Sequence, residues 1–364
     1  VPLSPDRVIR PHIEPSESYD HAEPDTNGHE PVRLDWNESP FGLSPRATGA
    51  LHTFDTGHRY PAMDQAPLRH ALGEYLGVSP DRIIAGAGLD DVINTLAMTI
   101  INPGDEVIIH EPTFGVYRSL FSLHGANVVN VPLGPPPDFR LLVDDIIAAV
   151  NDRTRLVLIC NPNNPTGNLF SREDLVRIIE SVSCMVAIDE AYAEFSGASH
   201  TELALKYDHV VTLRTLSKFA GLAGFRVGYG VFPTALMPWF RRSAPAFFNI
   251  SAPSAAVAIA SLGDLNHLRV NAERIIVERE RLIRLLNEIP GVLAYPSATN
   301  FVLVSLPVDD ASPIVALLAR HGLLVRHFSH PHLVSCIRIS IGLPAHHDML
   351  VDTIRHQFES AAQG

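Results

Sequence analysis

Cysteine is scarce in this chain of 364 residues: there are three, Cys160, Cys184 and Cys336. They lie in apolar, strand-like runs with no paired spacing, which argues against a disulfide framework and fits buried thiols in a reducing compartment, the cytoplasm. A basic excess is also missing. Lys and Arg number 28 against 40 Asp and Glu, for a formal net charge of -12 and a pI near 5.8. With no basic stripe either, neither nucleic acid nor an anionic membrane is an expected partner. There is no apolar run of about 18 residues and no charged-then-apolar leader, so neither a membrane span nor a signal peptide is expected. No internal repeat is visible.

What is present is the composition of a folded, enzyme-sized protein, 46% hydrophobic and 19% charged, with Leu, Ile, Val and Ala spread along the whole length. The length exceeds one ordinary core, so a larger and a smaller domain are expected. The first thirty or so residues are polar and proline-rich and read as an extended arm. From about Arg82, the short apolar runs "RIIAG", "DEVIIHEP", "RLVLICNP", "MVAIDEAY" and "HVVTLRTLS" alternate with amphipathic stretches. That is the pattern of an α/β protein, a mostly parallel sheet with helices on both faces. The stretch from "DLNHLRV" to "LLNEIPG" has apolar residues at helical spacing and predicts one long helix bridging the two domains. The remainder alternates strand and helix in a smaller α+β unit.

The polar residues fall where the apolar runs end: "GAGLDD", "EPTF", "NPNNPTG", "DEAY" and "RTLSK". In an open α/β sheet, ligands bind beyond the carboxyl ends of the strands, so these loops are expected to converge. "AGAGLDDVINTL" joins a strand end to a helix start able to hold a phosphate; a glycine turn with Asp90 as the helix cap is the plainer reading. "CNPNNPTGN" presents Asn161, Asn163 and Asn164 on a stiff loop, or is simply a structural turn. Asp189 ends an apolar strand, where a carboxylate needs a cation or donors, with Tyr192 three residues on; a capping Asp beside a packed Tyr is the alternative.

Lys218 emerges among Thr215, Ser217 and the small residues Ala220, Gly221, Ala223 and Gly224. Such surroundings depress a lysine pKa and make it a usable nucleophile or base, unless it snorkels to the surface. Arg226 can supply a cation for a phosphate or join an ordinary ion pair. Alternation in "LVSCIRISIG" puts Leu333, Ser335, Ile337, Ile339 and Ile341 on one face and Val334, Cys336, Arg338 and Ser340 on the other, a setting that suits Arg338 to bidentate carboxylate binding. His327, His330 and His332 have metal-like spacing, but they sit in a proline loop without an acidic or thiol companion, and no metal is expected.

Together these features suit pyridoxal 5'-phosphate. The sequence resembles the fold-type I aminotransferases of class I/II, in particular the histidinol-phosphate aminotransferase branch. The resemblance runs over roughly residues 32–345 through "LDWNESPFGLSP", "HRYPAMDQAPLRHALGEYLGV", "EPTFGVY", "NPNNPTGN", "IDEAYAEF", "RTLSKFAGLAGFRVGY", "HGLLVRHF" and "IRISIG", in that order. It implies that Lys218 carries the cofactor covalently and, once displaced by substrate, moves the proton between substrate Cα and cofactor C4'. It implies that Asp189 pairs with the protonated pyridine nitrogen, and that Tyr192 and Asn164 bond the ring's 3'-oxygen. The phosphate is expected on the backbone of Leu89 and Asp90, on Thr215 and Ser217, and on Arg226, with Phe114 stacked on the ring. Tyr60 of "RYP" is expected to reach the neighbouring subunit's phosphate, which implies a homodimer with shared active sites.

On the substrate side the resemblance assigns Arg338 to the α-carboxylate and Arg326 to the phosphate of histidinol phosphate or the side-chain carboxylate of the second substrate. Asn164 is also expected near the substrate carboxylate, with Asn37, in "LDWNESP", on the same side and Tyr19, in the arm, as a further candidate. The implied reaction moves an amino group from a donor, histidinol phosphate first, to a 2-oxo acid such as 2-oxoglutarate. Aromatic amino acid aminotransfer and decarboxylation of a phosphorylated amino acid are the alternatives. The expected division is an arm with part of the small domain at 1–40, a large cofactor domain at 41–265 and a small domain at 266–364. The chain departs from the family at Phe114, where Tyr is usual, and at "GLDD", where Ser or Ala precedes Asp-Glu. It departs again at "LPAHHD", where Thr, paired acids and Asn are common.

Overall fold

A computed structural model describes residues 7–13, 26, 28, 30–243 and 248–361. Among these, the strands are β1 Val32–Leu34, β2 Ile83–Ala87, β3 Glu106–Ile109, β4 Asn127–Asn130, β5 Thr154–Cys160, β6 Met185–Asp189, β7 Val210–Thr215, β8 Val227–Val231, β9 Leu293–Ala294, β10 Phe301–Ser305, β11 Leu323–His327 and β12 Cys336–Ser340. The five apolar runs singled out in the sequence are β2, β3, β5, β6 and β7. They belong to a seven-stranded sheet of order β2-β8-β7-β6-β5-β3-β4. Its pairs from β4 to β7 are parallel, and β8 alone runs against its neighbours. Because β2 and β7 both pair antiparallel with β8, their carboxyl ends lie on the same sheet edge as those of β3, β5 and β6. The central strands are apolar throughout because helices cover both faces. In β5, for example, every residue except Arg155 is buried.

The second sheet has the order β1-β11-β12-β10-β9, antiparallel except where β1 lies parallel to β11. The arm thus ends as an edge strand. β12 begins at Cys336, so the alternation expected from Leu333 holds only over Cys336–Ser340; residues 331–335 form a turn.

The long helix is Leu265–Asn287. Leu268, Ala272, Ile275, Leu282 and Leu286 mark its buried face at the three- and four-residue spacing of a helix. Arg279 on that face donates to Phe195 O at 3.3 Å and Thr299 O at 2.9 Å, which ties the chain following β6 to the segment before β10. One apolar cluster runs through both sheets, from Tyr229 and Phe195 to Phe301 and Ile339. Among the described residues no helix is long and apolar enough to cross a membrane.

Candidate active site

The carboxyl edge of the large sheet gathers the loops as expected, beginning with the turn after β2. Gly88 takes φ +91° and is the N-cap of the helix Leu89–Ile100, with no side-chain cap. The cap is therefore not Asp90, as the plainer reading had it. Asp90 sits in the first turn, and Asp91 accepts the Ala87 N–H at 2.8 Å. A Cβ on Gly88 would lie 2.4 Å from a terminal nitrogen of Arg226, and one on Gly228 would lie 2.2 Å from Leu89 N. Only glycine at both positions lets β8 and the Arg226 guanidinium press against the helix start. Arg226 itself takes φ 52°, a costly conformation for a non-glycine residue of the kind that clusters at functional sites. It pairs with Asp90 at 3.2 Å, both half exposed. The hydroxyls of Thr215 and Ser217 are buried and joined at 2.9 Å. Two hydroxyls, a guanidinium and a helix N-terminus form a built anion cradle.

Asp189 ends β6 and is 3% exposed. Its Oδ2 accepts from Tyr117 Oη at 2.6 Å and its Oδ1 from Ala191 N at 2.9 Å. Burial raises its pKa to about 6 against those two donors, and among the described residues no cation forms an ion pair with it. A protonated ring nitrogen is the partner this carboxylate lacks. Tyr117 is the residue that sequence reasoning missed. It stands in the quoted "EPTFGVY", three residues after Phe114, and its side chain is fully buried. Phe114 is half-buried and meets Tyr117 edge-on, with ring centroids 5.4 Å apart.

Asn164 donates to Tyr192 Oη at 3.4 Å and accepts from Arg338 at 2.6 Å. Asn161 and Asn163 have structural partners, Asn161 bonding the Phe170 backbone and Asn163 bonding Thr166, Pro112 O and Thr113. Of the three asparagines, then, Asn164 alone reaches the Tyr192 and Arg338 side chains. Burial raises the Tyr192 hydroxyl pKa. Tyr192 also accepts from Asn37 Nδ2 at 3.1 Å.

Lys218 is half-buried rather than snorkelling, and its Nζ donates to Trp36 O at 2.9 Å. Burial, with the Arg338 guanidinium next in effect, brings its pKa down to about 8. Arg338 donates to Asp35 O and stands directly opposite Arg326 in the β11–β12 register. Residues 35–37 therefore cross the site, touching Arg338, Lys218 and Tyr192 in turn. Asn37, at φ 54°, is locked by Ser340 and Asn300, two anchors with no signal in the sequence beyond strand alternation.

Tyr60 lies apart from this group, 83% exposed and stacked on Phe248 at 4.7 Å. Tyr19 lies outside the described residues. His327 packs its Nε2 on Val334 O at 2.9 Å and on Asp310 at 3.4 Å, an acidic neighbour not evident from the sequence. Among the described residues no group of three or more His, Cys, Asp or Glu is placed to hold a metal.

The residues present fit a planar cationic ring that carries a phosphate. Asp189 suits the ring nitrogen, Tyr192 and Asn164 a ring oxygen, Lys218 an aldehyde carbon, and the Leu89 helix start with Arg226, Thr215 and Ser217 the phosphate. On an open α/β sheet, that combination defines the fold-type I class of pyridoxal-phosphate-dependent enzymes.

Comparison with known proteins narrows the class. The chain belongs to the aminotransferase class I and II family, whose sequence profile matches residues 29–354. It is 39% identical over 333 residues to a histidinol-phosphate aminotransferase of Roseiflexus castenholzii, covering 89% of each chain. It is 36% identical over 361 residues to the chloroplastic histidinol-phosphate aminotransferase 1 of Arabidopsis thaliana, covering 96% of this chain and 86% of that one. The solved histidinol-phosphate aminotransferase of Sinorhizobium meliloti, in complex with pyridoxal 5'-phosphate, superposes with a TM-score of 0.85 at 28% identity, covering 92% of this chain and 93% of that one. The chain is thus a pyridoxal-phosphate-dependent aminotransferase.

Proposed function

We propose that this aminotransferase moves the amino group of histidinol phosphate to 2-oxoglutarate. The observation that carries the reading is the cross-strand pair Arg326 and Arg338 at a site that already holds Lys218 and Asp189. Two guanidinium groups opposite each other on adjacent strands can each take one anionic group of a substrate. Histidinol phosphate carries a phosphate group and 2-oxoglutarate carries two carboxylates. The similarity to histidinol-phosphate aminotransferases over most of the chain supports the same choice.

In this reading the bound cofactor supplies an electron sink conjugated to the substrate amino group. Lys218 holds it and, when displaced, moves the proton at the substrate Cα. Asp189, steadied by Tyr117, keeps a proton on the ring nitrogen. Tyr192 and Asn164 hydrogen-bond the ring oxygen, and Phe114 covers the ring. Arg226, Thr215, Ser217 and the backbone N–H groups of Leu89 and Asp90 hold the phosphate. Arg338 takes the carboxylate next to the reacting carbon of 2-oxoglutarate, and Arg326 takes its distal carboxylate or the phosphate of histidinol phosphate. Asn37 fixes the wall between Tyr192 and the small sheet.

The chain divides into an arm with part of the small domain at 1–40, a large domain at 41–265 and a small domain at 266–364. It works as a cytoplasmic homodimer. Support for the dimer is Tyr60, exposed at the rim of a cleft of about 410 Å3 lined by Phe54, Pro61, Ala255 and Ile259. Addition of histidinol phosphate to the yellow protein should bleach the visible absorption band, and 2-oxoglutarate should restore it. Bleaching by phenylalanine but not by histidinol phosphate defeats this choice of donor, and carbon dioxide release without an oxo acid defeats aminotransfer.

A further inference from the structure

The segment "LPAHHD" contributes His347 to a buried pair with Glu278, outside the group of residues assigned above. His347 is fully buried at the start of the helix Pro344–Ala361. Its Nδ1 lies 2.7 Å from Glu278 Oε1 on the long helix, and its Nε2 lies 3.0 Å from Gly342 N. A backbone N–H can only donate, so Nε2 is the acceptor and the proton sits on Nδ1, facing the carboxylate. Ser340 O, 3.3 Å from the same Nε2, then receives no proton from it. Glu278 is held in turn by Arg281 at 2.9 Å, which also reaches Asp348 at 2.8 Å. Hydrogen bonds from His347 and Arg281 keep the Glu278 carboxyl below its usual range despite the upward push of burial.

Gly342 lies two residues beyond the end of β12. The space around it is tight: a Cβ there would lie 2.8 Å from Leu34. Two residues back, Ser340 Oγ accepts from Asn37 N at 2.8 Å and donates to Asn37 Oδ1 at 3.1 Å, and Asn37 donates to Tyr192. Arg338 lies two residues further back on the same strand. A hydrogen-bonded path thus runs from the long helix through His347 to the exit of β12, which carries Arg338 and the serine that holds Asn37.

We infer that Glu278 and His347 are positioning residues for substrate binding, fixing the end of β12 so that Arg338 and Ser340 stay in register with the carboxylate of the 2-oxo acid. This inference rests on the aminotransferase reading of Arg338, but not on the identity of the amino donor.

The two ring nitrogens can be separated by substitution. Asn at 347 reaches only the Nδ1 position, so it keeps a donor for Glu278 and loses the acceptor for Gly342. Gln places an oxygen near the Nε2 position and keeps that acceptor. In the full-length holoenzyme, His347→Asn should raise the KM for 2-oxoglutarate about tenfold with kcat within about twofold, while His347→Gln stays within about threefold of wild type on both. The dissociation constant of 2-oxoglutarate, measured by calorimetry on the same proteins, should follow KM, and it reads the clamp without turnover. Should His347→Asn fail to unfold cooperatively on heating, Glu278→Ala, which removes the partner of Nδ1 together with the Arg281 ion pair, carries the test with an expected rise of about threefold or more. An unchanged KM and dissociation constant in the folded variants, a Gln variant as impaired as Asn, or a loss confined to kcat overturns the inference. Failure of wild-type protein to accept histidinol phosphate overturns the choice of donor instead.

Discussion

At the scale of single residues, the proposed site contains two ionisable groups whose burial shifts both toward the neutral form. The sequence contains only two lysines, Lys206 and Lys218, and Lys206 is exposed beside Tyr207. Borohydride reduction of the holoenzyme should therefore place the cofactor adduct on Lys218 alone, with Lys206 as the internal control in peptide mass spectrometry. Label on Lys206 instead would refute the assignment. Because burial brings the Lys218 pKa down to about 8, the rate of cofactor uptake by apoprotein should climb as pH rises to about 8 and then level off, since the free amine is the nucleophile.

Asp189 behaves in the opposite sense. Its pKa in the folded protein, about 6, lies above the ordinary 3.8, so between these values the native state holds a proton that the unfolded chain has released. Stability of the apoprotein should fall as pH rises through that window, by roughly 3 kcal/mol in all. Asp189→Asn should abolish this slope in apoprotein melting curves and cut holoenzyme kcat by about a hundredfold or more. A slope unchanged in the Asn variant would trace it to another group.

At the scale of elements, the anion cradle exists because strand β8 can approach a helix start. Gly228→Ala would drive a Cβ to 2.2 Å from Leu89 N, a backbone atom that cannot step aside. We expect a loss of about 1–3 kcal/mol of stability together with weakened cofactor binding. Gly42→Ala, with nothing within 4 Å of the added carbon, should leave both unchanged. Fluorescence titration of apoprotein with the cofactor tests the pair.

The apolar runs of β2, β3, β5, β6 and β7 were legible because a strand buried on both faces must be apolar along its whole length. Strand β8, "VGYGV", was not. Its two glycines weaken any strand signal, yet they are what permits its close packing. Nor was β4, "NVVN", an edge strand whose outer residues are polar and exposed. Among the loop residues, Asp189, Asn164 and Lys218 were recognisable because a charge or amide at the end of an apolar run demands a partner. Tyr117 and Ser340 made no such demand, since each looks like an ordinary element residue until the partner across the site is seen.

At the scale of the whole molecule, Tyr60 is an exposed aromatic ring that the proposed dimer would bury. A Lys218→Ala protein and a Tyr60 variant, each poorly active alone, should on mixing recover up to about a quarter of wild-type activity, because a mixed dimer has one site with both native residues. No recovery, together with a monomer by sedimentation, would remove the shared-site arrangement. The long helix with Arg279 is the other feature of this scale. Its buried face joins the two sheets, so the position of Arg338 relative to Lys218 depends on packing far from either.

The sequence by itself determined the α/β class, five strands of the large sheet and the chemistry of the loops that follow them, because burial periodicity and the cost of stranded polar groups act locally along the chain. Only the tertiary structure decided which of these loops share a site, that Asp91 rather than Asp90 holds the turn before the helix, that Arg326 faces Arg338, and that His347 reaches Glu278. Those relations join residues on separate elements, and they depend on strand order and register, which local periodicity does not encode.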